Sequence, residues 1–349
     1  MEKLLKMMRP NILRMKAYSS ARHEFEGVAE CFLDANENPF DNGLNRYPDP
    51  LQHELKARIA EIKNIDSKHI FLGNGSDEAI DLLFRIFCEP GKDNVIILSP
   101  TYGMYQVAAD IADVQIREVP LDADFQPIFE HITNAVDLNT KIIFFCSPNN
   151  PTGNSIKPEI IKQVLEFFPG PVVVDEAYID FSTQASFLQL LDKYPNLLVM
   201  QTLSKAWGLA GIRLGMAFAA PELIALFNKV KAPYNINQLT QETALKMLEN
   251  TEKTATNVKT ILQERGRLEK AFANYSFVQK IYPSDANFIL LKVDDPNALY
   301  KYLLSGKTVV RNRSTVPGCE GCLRITVGRP DENTYLIGLL NNYPDIKTN

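Results

Sequence analysis

The chain has 349 residues, 45% of them apolar and 23% charged, with 37 Lys+Arg against 42 Asp+Glu for a net charge of −5. That balance suits a folded globular protein of about two domains and excludes wholesale disorder and collagen-like structure. An acidic chain also speaks against general nucleic-acid binding, and no apolar run reaches the roughly 18–20 residues of a membrane helix.

In chain order, the start MEKLLKMMRPNILRMKAY is basic but lacks a continuous apolar stretch, so a secretory signal is not expected. From about 68 to 220 short apolar runs alternate with amphipathic stretches. The runs are HIFL (69–72), NVIIL (94–98), VQIREV (114–119), KIIFFC (141–146), PVVVD (171–175), LLVMQT (197–202) and LGMAFA (214–219). Runs apolar throughout suit strands buried on both faces. With helices between them they predict an α/β fold with a doubly wound, mainly parallel seven-stranded sheet. A helix-rich stretch spans about 221–275. A smaller α+β part follows, with ANFILLKV (286–293) and CLRITVG (322–328) as strands. The expected division is a large domain over 36–250, a small domain over 251–349, and a segment 1–35 packing on the small domain. The five cysteines, Cys31, Cys88, Cys146, Cys319 and Cys322, do not read as a disulfide framework, which suits a reducing cytoplasm. CEGC (319–322) lacks the second ligand pair of a structural zinc site and is taken as a loop, so no metal is expected.

In such sheets ligands bind beyond the carboxyl ends of the strands. GNGSDEAIDLLF (73–84) is a glycine-rich turn feeding a helix, with Ser76 as the expected N-cap. Its free N–H groups could cradle a phosphate, although a plain capped helix fits as well. Asp175 follows four apolar residues, so it should have a cationic partner. Lys205, in TLSKAWGLAGIRLG (202–215), also ends an apolar strand; burial would lower its pKa and make its amine a nucleophile toward carbonyls. Arg213 could pair with a phosphate. An aldehyde for a lysine, a ring nitrogen for an acid and a phosphate for a cradle describe pyridoxal 5′-phosphate. Asn150 in SPNNPTG and Tyr178 could reach its 3′ oxygen, and Tyr102 in TYGMY could stack on its ring.

GSDE, SPNNPTG, DEAY, SKAWGLAGIRLG and LRITVG, in that order, resemble the fold-type I pyridoxal-phosphate aminotransferases. Within them the resemblance is to the branch acting on histidinol phosphate, and it runs from LDANENPF (33–40) and RYPDP (46–50) to LRITVG (323–328). It implies that Lys205 bonds the cofactor aldehyde and then shuttles a proton. Asp175 would pair with the pyridinium nitrogen, and Tyr178 and Asn150 would bond the 3′ oxygen, with Tyr102 on the ring. The Ser76 and Asp77 amides, Ser204 and Arg213 would hold the phosphate, joined by Tyr47 from a second subunit, which makes a homodimer the functional unit. Arg324 would take a substrate carboxylate, Arg311 and Tyr18 the substrate phosphate, and Asn36 would line the site, with Arg313 a rival to Arg311. The implied reaction is ping-pong amino transfer between histidinol phosphate and 2-oxoglutarate in cytoplasmic histidine biosynthesis. A threonine-phosphate decarboxylase or an aromatic amino-acid aminotransferase of the same fold is the alternative. Trp207 stands where Phe is usual in that motif, a conservative change.

Overall fold

A computed structural model describes residues 2–17 and 31–344. Seven strands build the larger sheet: β1 (Ile70–Asn74), β2 (Asn94–Ser99), β3 (Gln115–Pro120), β4 (Thr140–Cys146), β5 (Val172–Asp175), β6 (Leu197–Thr202) and β7 (Leu214–Ala219). Their order is β1-β7-β6-β5-β4-β2-β3. β7 pairs antiparallel with both its neighbours and every other pairing is parallel, so β1, β2, β4, β5 and β6 all end at one edge. That edge is where the predicted site residues follow their strands.

The strands are apolar throughout because both faces are covered. On one face Leu72, Ile143, Phe145, Val172, Val174 and Val199 join one core. On the other, Phe71, Ile142, Phe144, Val173, Leu198 and Met200 join a second, beneath the helix Ser76–Phe87. Successive residues alternate between the two cores, as the period-2 geometry of a strand requires. Each large side chain buried here contributes roughly 1.5–3 kcal/mol to stability.

A second sheet has the order β10-β11-β9-β8, with β8 (Val278–Ile281), β9 (Phe288–Val293), β10 (Arg311–Asn312) and β11 (Cys322–Thr326), all pairings antiparallel. Its core, including Ile289, Leu291, Leu323 and Ile325, packs on the helices Thr251–Phe272, Pro296–Ser305 and Pro330–Asn341. Among the described residues no helix is long and apolar enough to cross a membrane.

One sequence expectation needs correction. The described N-terminal helices, Glu2–Leu5 and Pro10–Arg14, do not sit on the smaller part. Leu4, Met8 and Ile12 lie in the core beneath Ser76–Phe87, the Arg9 amide donates to the Ile86 carbonyl (3.0 Å), and Lys229 donates to the Ile12 carbonyl (2.7 Å). The two short helices and the turn between them bring these three apolar side chains to one core of the larger sheet. The CEGC segment is a turn leading into β11, as expected, and within it Cys319 and Cys322 are buried with Phe125 and Leu290 as small apolar fillers.

Candidate active site

Gly75 rather than Ser76 caps the helix Ser76–Phe87, with φ +74°, and Ser76 is its first helical residue. That positive φ favours glycine, and a Cβ there, 2.6 Å from Arg213 Nη2, would push the guanidinium aside. The Gly75 amide donates to the Arg213 carbonyl at 2.8 Å. Gly215 is constrained more tightly: a Cβ there would lie 2.1 Å from the Ser76 nitrogen. β7 therefore presses directly on the helix start. The unpaired N–H groups of the first turn and the Arg213 guanidinium are left facing one cavity, an arrangement that suits an anion. Asp77 lies 3.5 Å from Arg213 Nη2 and accepts from the Tyr102 hydroxyl at 3.2 Å.

That cavity, of about 730 Å³, is lined by Ser76, Asp77, Tyr102, Asn150, Asp175, Tyr178, Ser204, Lys205 and Arg213 from the larger sheet's edge, and by Arg311, Arg313 and Arg324 from the smaller sheet. Asp175 and Lys205 follow adjacent parallel strands, β5 and β6. Asp175 is 2% exposed. The expected cationic partner is not what holds it: the Tyr105 hydroxyl donates to its Oδ2 at 2.8 Å and the Ala177 amide to its Oδ1 at 3.1 Å. Burial outweighs both bonds and pushes the carboxyl up to about 6. Lys205 opens to the cavity, 5.6 Å from the Tyr178 ring centroid. The atoms around its ammonium strip enough water to lower its pKa, Arg324 lowers it further, and Asp175 opposes them. Tyr178 is buried edge-on to Phe288, with ring centroids 5.2 Å apart, and burial raises its phenol.

Tyr105 is a residue that sequence reasoning missed. It is fully buried, stacks on Phe144 at 4.7 Å and meets Tyr102 edge-on at 5.6 Å. Its signal was faint, since a tyrosine on the apolar face of the helix Met104–Ile111 reads as core; a buried phenol nonetheless needs an acceptor. Asn149 was missed as well. Its amide donates to the Pro100 carbonyl (2.9 Å) and to Thr152 Oγ1 (2.7 Å), tying the loop after β2 to the loop after β4. This brace holds the loop carrying Tyr102 beside the one carrying Asn150.

Arg324, on β11, donates through Nη1 to Asn150 Oδ1, which joins the two sheets across the cavity. Its guanidinium lies 5.1 Å from the Phe288 ring centroid. Burial lowers its pKa, and Arg313 adds to that.

Two expected residues are not brought to the cavity. Tyr47 is half exposed and stacks on Tyr234 at 4.4 Å, and with Asn36 it lines a separate cleft of about 460 Å³. Tyr18 lies outside the described residues.

The family model for aminotransferase class I and II matches residues 18–340. A histidinol-phosphate aminotransferase of Parabacteroides distasonis is 55% identical over 342 residues, covering 98% of this chain and 99% of the relative. One of Flavobacterium johnsoniae is 55% identical over 332 residues, covering 94% and 95%. Among solved structures, the histidinol-phosphate aminotransferase of Clostridium acetobutylicum superposes with a TM-score of 0.78 at 25% identity, covering 85% of this chain and 90% of that one. That of Sinorhizobium meliloti, solved in complex with pyridoxal 5′-phosphate, shares the fold with a TM-score of 0.76 at 21% identity, over 86% and 84% of the two chains. With a family match over most of its length and relatives more than half identical across nearly the whole chain, this chain belongs to the class I and II aminotransferases.

Proposed function

We propose that this chain is a pyridoxal-phosphate-dependent enzyme that transfers the amino group of histidinol phosphate to 2-oxoglutarate, yielding imidazole acetol phosphate and glutamate in histidine biosynthesis. It acts as a cytoplasmic homodimer. The observation that carries this reading is one cavity with three chemically distinct walls: a helix-start anion cradle, a dry acid beside a lysine, and a cluster of arginines. The relatives named for this activity, more than half identical across nearly the whole chain, support it.

The residues present fit the cofactor. Gly75 and Gly215 leave the first-turn amides of Ser76 and Asp77 unobstructed, and these with Ser204 and Arg213 would hold its phosphate. Asp175, buried and bonded only by neutral donors, would hold the ring nitrogen in its protonated form. Asn150 and Tyr178 would bond the 3′ oxygen, and the Tyr102 ring would cover the pyridine face. When bound, pyridoxal phosphate supplies a conjugated electron sink for the charge left when a proton leaves the substrate's α-carbon.

The chain's own residues do the rest. Lys205 would anchor the cofactor and would be the base at the substrate's α-carbon. Its lowered pKa shifts the amine toward the unprotonated form that a general base needs. Asp175 must be ionised while it works. It would be favoured in that state by a positive charge held beside it, since such a pair is worth ~4 kcal/mol at a generic 4 Å and an effective dielectric of 20. Arg324 would take the carboxylate of glutamate or 2-oxoglutarate, and Arg311 with Tyr18 the phosphate of histidinol phosphate. In one chain Tyr47 and Asn36 sit apart from the cavity, which suits residues that complete a partner's site. The test is product analysis on the purified protein with added cofactor. Glutamate formation dependent on histidinol phosphate and 2-oxoglutarate is expected. CO2 release from threonine phosphate, without that transfer, overturns the reading in favour of a decarboxylase of the same fold.

A further inference from the structure

The arginine wall carries more positive charge than a single carboxylate or a single guanidinium–phosphate pair needs. Arg311 and Arg324 are register partners across the β10–β11 ladder, so their side chains leave the same face of the smaller sheet. Arg313, two residues beyond Arg311, returns to that face, and its backbone amide donates to the Cys322 carbonyl at 2.9 Å. All three line the cavity. Among the described residues no carboxylate lies within ion-pair distance of any of them, whereas Arg213 at the cavity's other end has Asp77. The side-chain nitrogens Nε of Arg313 and Arg324 are both buried with no hydrogen-bond partner among the described residues.

A buried guanidinium donor left unmade is costly and calls for an acceptor. Arg324 finds part of its pairing in Asn150. Arg313 has the like charge of Arg311 beside it, which, after burial, is a cause of its lowered pKa. Two adjacent like charges with no counter-anion among the described residues suit a ligand group of charge −2 with several acceptor oxygens. A phosphomonoester meets that description and a single carboxylate does not.

We propose that Arg313 acts together with Arg311 as a two-arginine clamp for a phosphate dianion, and that Arg313 is the residue by which this site prefers a phosphorylated amine over a dicarboxylic amino acid. The inference rests on the proposed function for the identity of the phosphorylated substrate, but not for the presence of the clamp. One arm is placed by the register of β10 and the other by the bond from the Arg313 amide to the Cys322 carbonyl just beyond it. Arg311 alone can serve the single distal charge of glutamate. The second guanidinium adds charge-assisted bonds that only the dianion completes.

The test uses the cofactor-loaded enzyme, in which the helix-start cradle is filled. Arg313→Gln, Arg313→Lys and Arg311→Gln are compared with the wild type for KM and kcat with histidinol phosphate and with glutamate, and for binding of inorganic phosphate by calorimetry. Unchanged melting temperature and cofactor absorbance establish that each variant folds. Arg313→Gln is expected to raise KM for histidinol phosphate roughly 10- to 100-fold, to weaken phosphate binding in parallel, and to cost histidinol phosphate at least about tenfold more than glutamate. Arg313→Lys, which keeps the charge but not the planar fork, falls between. Equal losses on both amino donors, or unchanged phosphate binding in Arg313→Gln, overturn the clamp. If the wild type does not use histidinol phosphate, the proposed function falls, and phosphate binding still decides this inference: loss on Arg313→Gln supports it, and no binding by the wild type overturns it.

Discussion

The two ends of the cavity are built on opposite plans. At the acid end Asp175 terminates a strand with apolar cores on both sides, and its two oxygens already have donors in Tyr105 and the Ala177 amide. At the arginine end three guanidiniums project from a four-stranded sheet, with no paired anion among the described residues and two buried Nε donors unused. The acid end is finished and raises its own carboxyl by burial; the arginine end is incomplete until an anion arrives. A finished end suits a permanent group, held through every turnover. An incomplete one suits substrates that come and go and differ in shape and charge.

The largest test of that contrast is Lys205→Ala. It removes both the anchor of the permanent group and the base that moves the substrate proton. Turnover should drop by about 10⁴-fold or more, and the absorbance band of lysine-linked cofactor should vanish, while the arginine end still binds phosphate. A persistent band or near-normal turnover would place the reactive amine elsewhere.

Asp175→Asn comes next and has two readouts of opposite sign. Loss of ~4 kcal/mol of pairing to the ring nitrogen predicts a rate lower by about 10³-fold. In the cofactor-free protein, however, the same change should stabilise. With a folded value of about 6 against 3.8 unfolded, the native chain binds more protons than the unfolded one between about pH 4 and 6. Its stability therefore falls as pH rises through that window, and the deficit remains above it. The neutral amide removes that deficit, and its oxygen can still accept from Tyr105. A melting temperature at pH 8 higher than that of cofactor-free wild type is expected; a lower one would mean that Asp175 is held by something other than the bonds described. Glu176, pushed up to about 7 by burial, leaves part of the same pH dependence in either protein.

Arg324→Gln probes the seam between the two ends. It breaks the bond to Asn150 and removes the charge expected for a substrate carboxylate. KM for glutamate should rise roughly 10- to 100-fold, the range of one charged hydrogen bond. KM for histidinol phosphate, which has no carboxylate, should move less, and equal shifts would break the assignment.

The acid end was far more legible in the sequence than the arginine end, and the reason is physical. An aspartate or a lysine placed at the end of an apolar strand must be accounted for, because burial of a charge is so costly. The runs leading to Asp175 and Lys205 also announced their strands, being covered on both faces. β8 and β10 gave no such signal: Val278–Ile281 is half-covered with exposed polar residues, and Arg311–Asn312 is only two residues long. Without β10 the register of Arg311 against Arg324 is invisible, so Arg311 and Arg313 read as rivals although strand geometry puts them side by side. The N-terminal segment was too weak in the sequence to place, and that Leu4, Met8 and Ile12 cover a core of the larger sheet is a long-range fact that no local pattern holds. Tyr47 and Asn36 form their own cleft in a single chain, and a sequence cannot show whether a second copy closes the distance.

The smallest expected effect belongs to Tyr105→Phe, and it tests how finished the acid end is. The hydroxyl donates to Asp175 Oδ2 from a ring wedged between Phe144 and Tyr102, so the substitution deletes one donor and leaves the packing in place. A neutral donor to a buried carboxylate is worth about 1–2 kcal/mol, which predicts a rate lower by roughly 5- to 30-fold. The hydroxyl lowers the Asp175 pKa, so its loss should raise the carboxyl further and shift the acid limb of the kcat profile upward in pH. The readout separates positioning from bulk packing. If packing alone mattered, Tyr105→Phe would leave that limb where it is, and Tyr105→Leu, which empties the ring's place, would lower melting temperature without a specific pH shift. If the limb moves with Phe and the melting temperature does not, the acid end owes its readiness to a single buried hydroxyl.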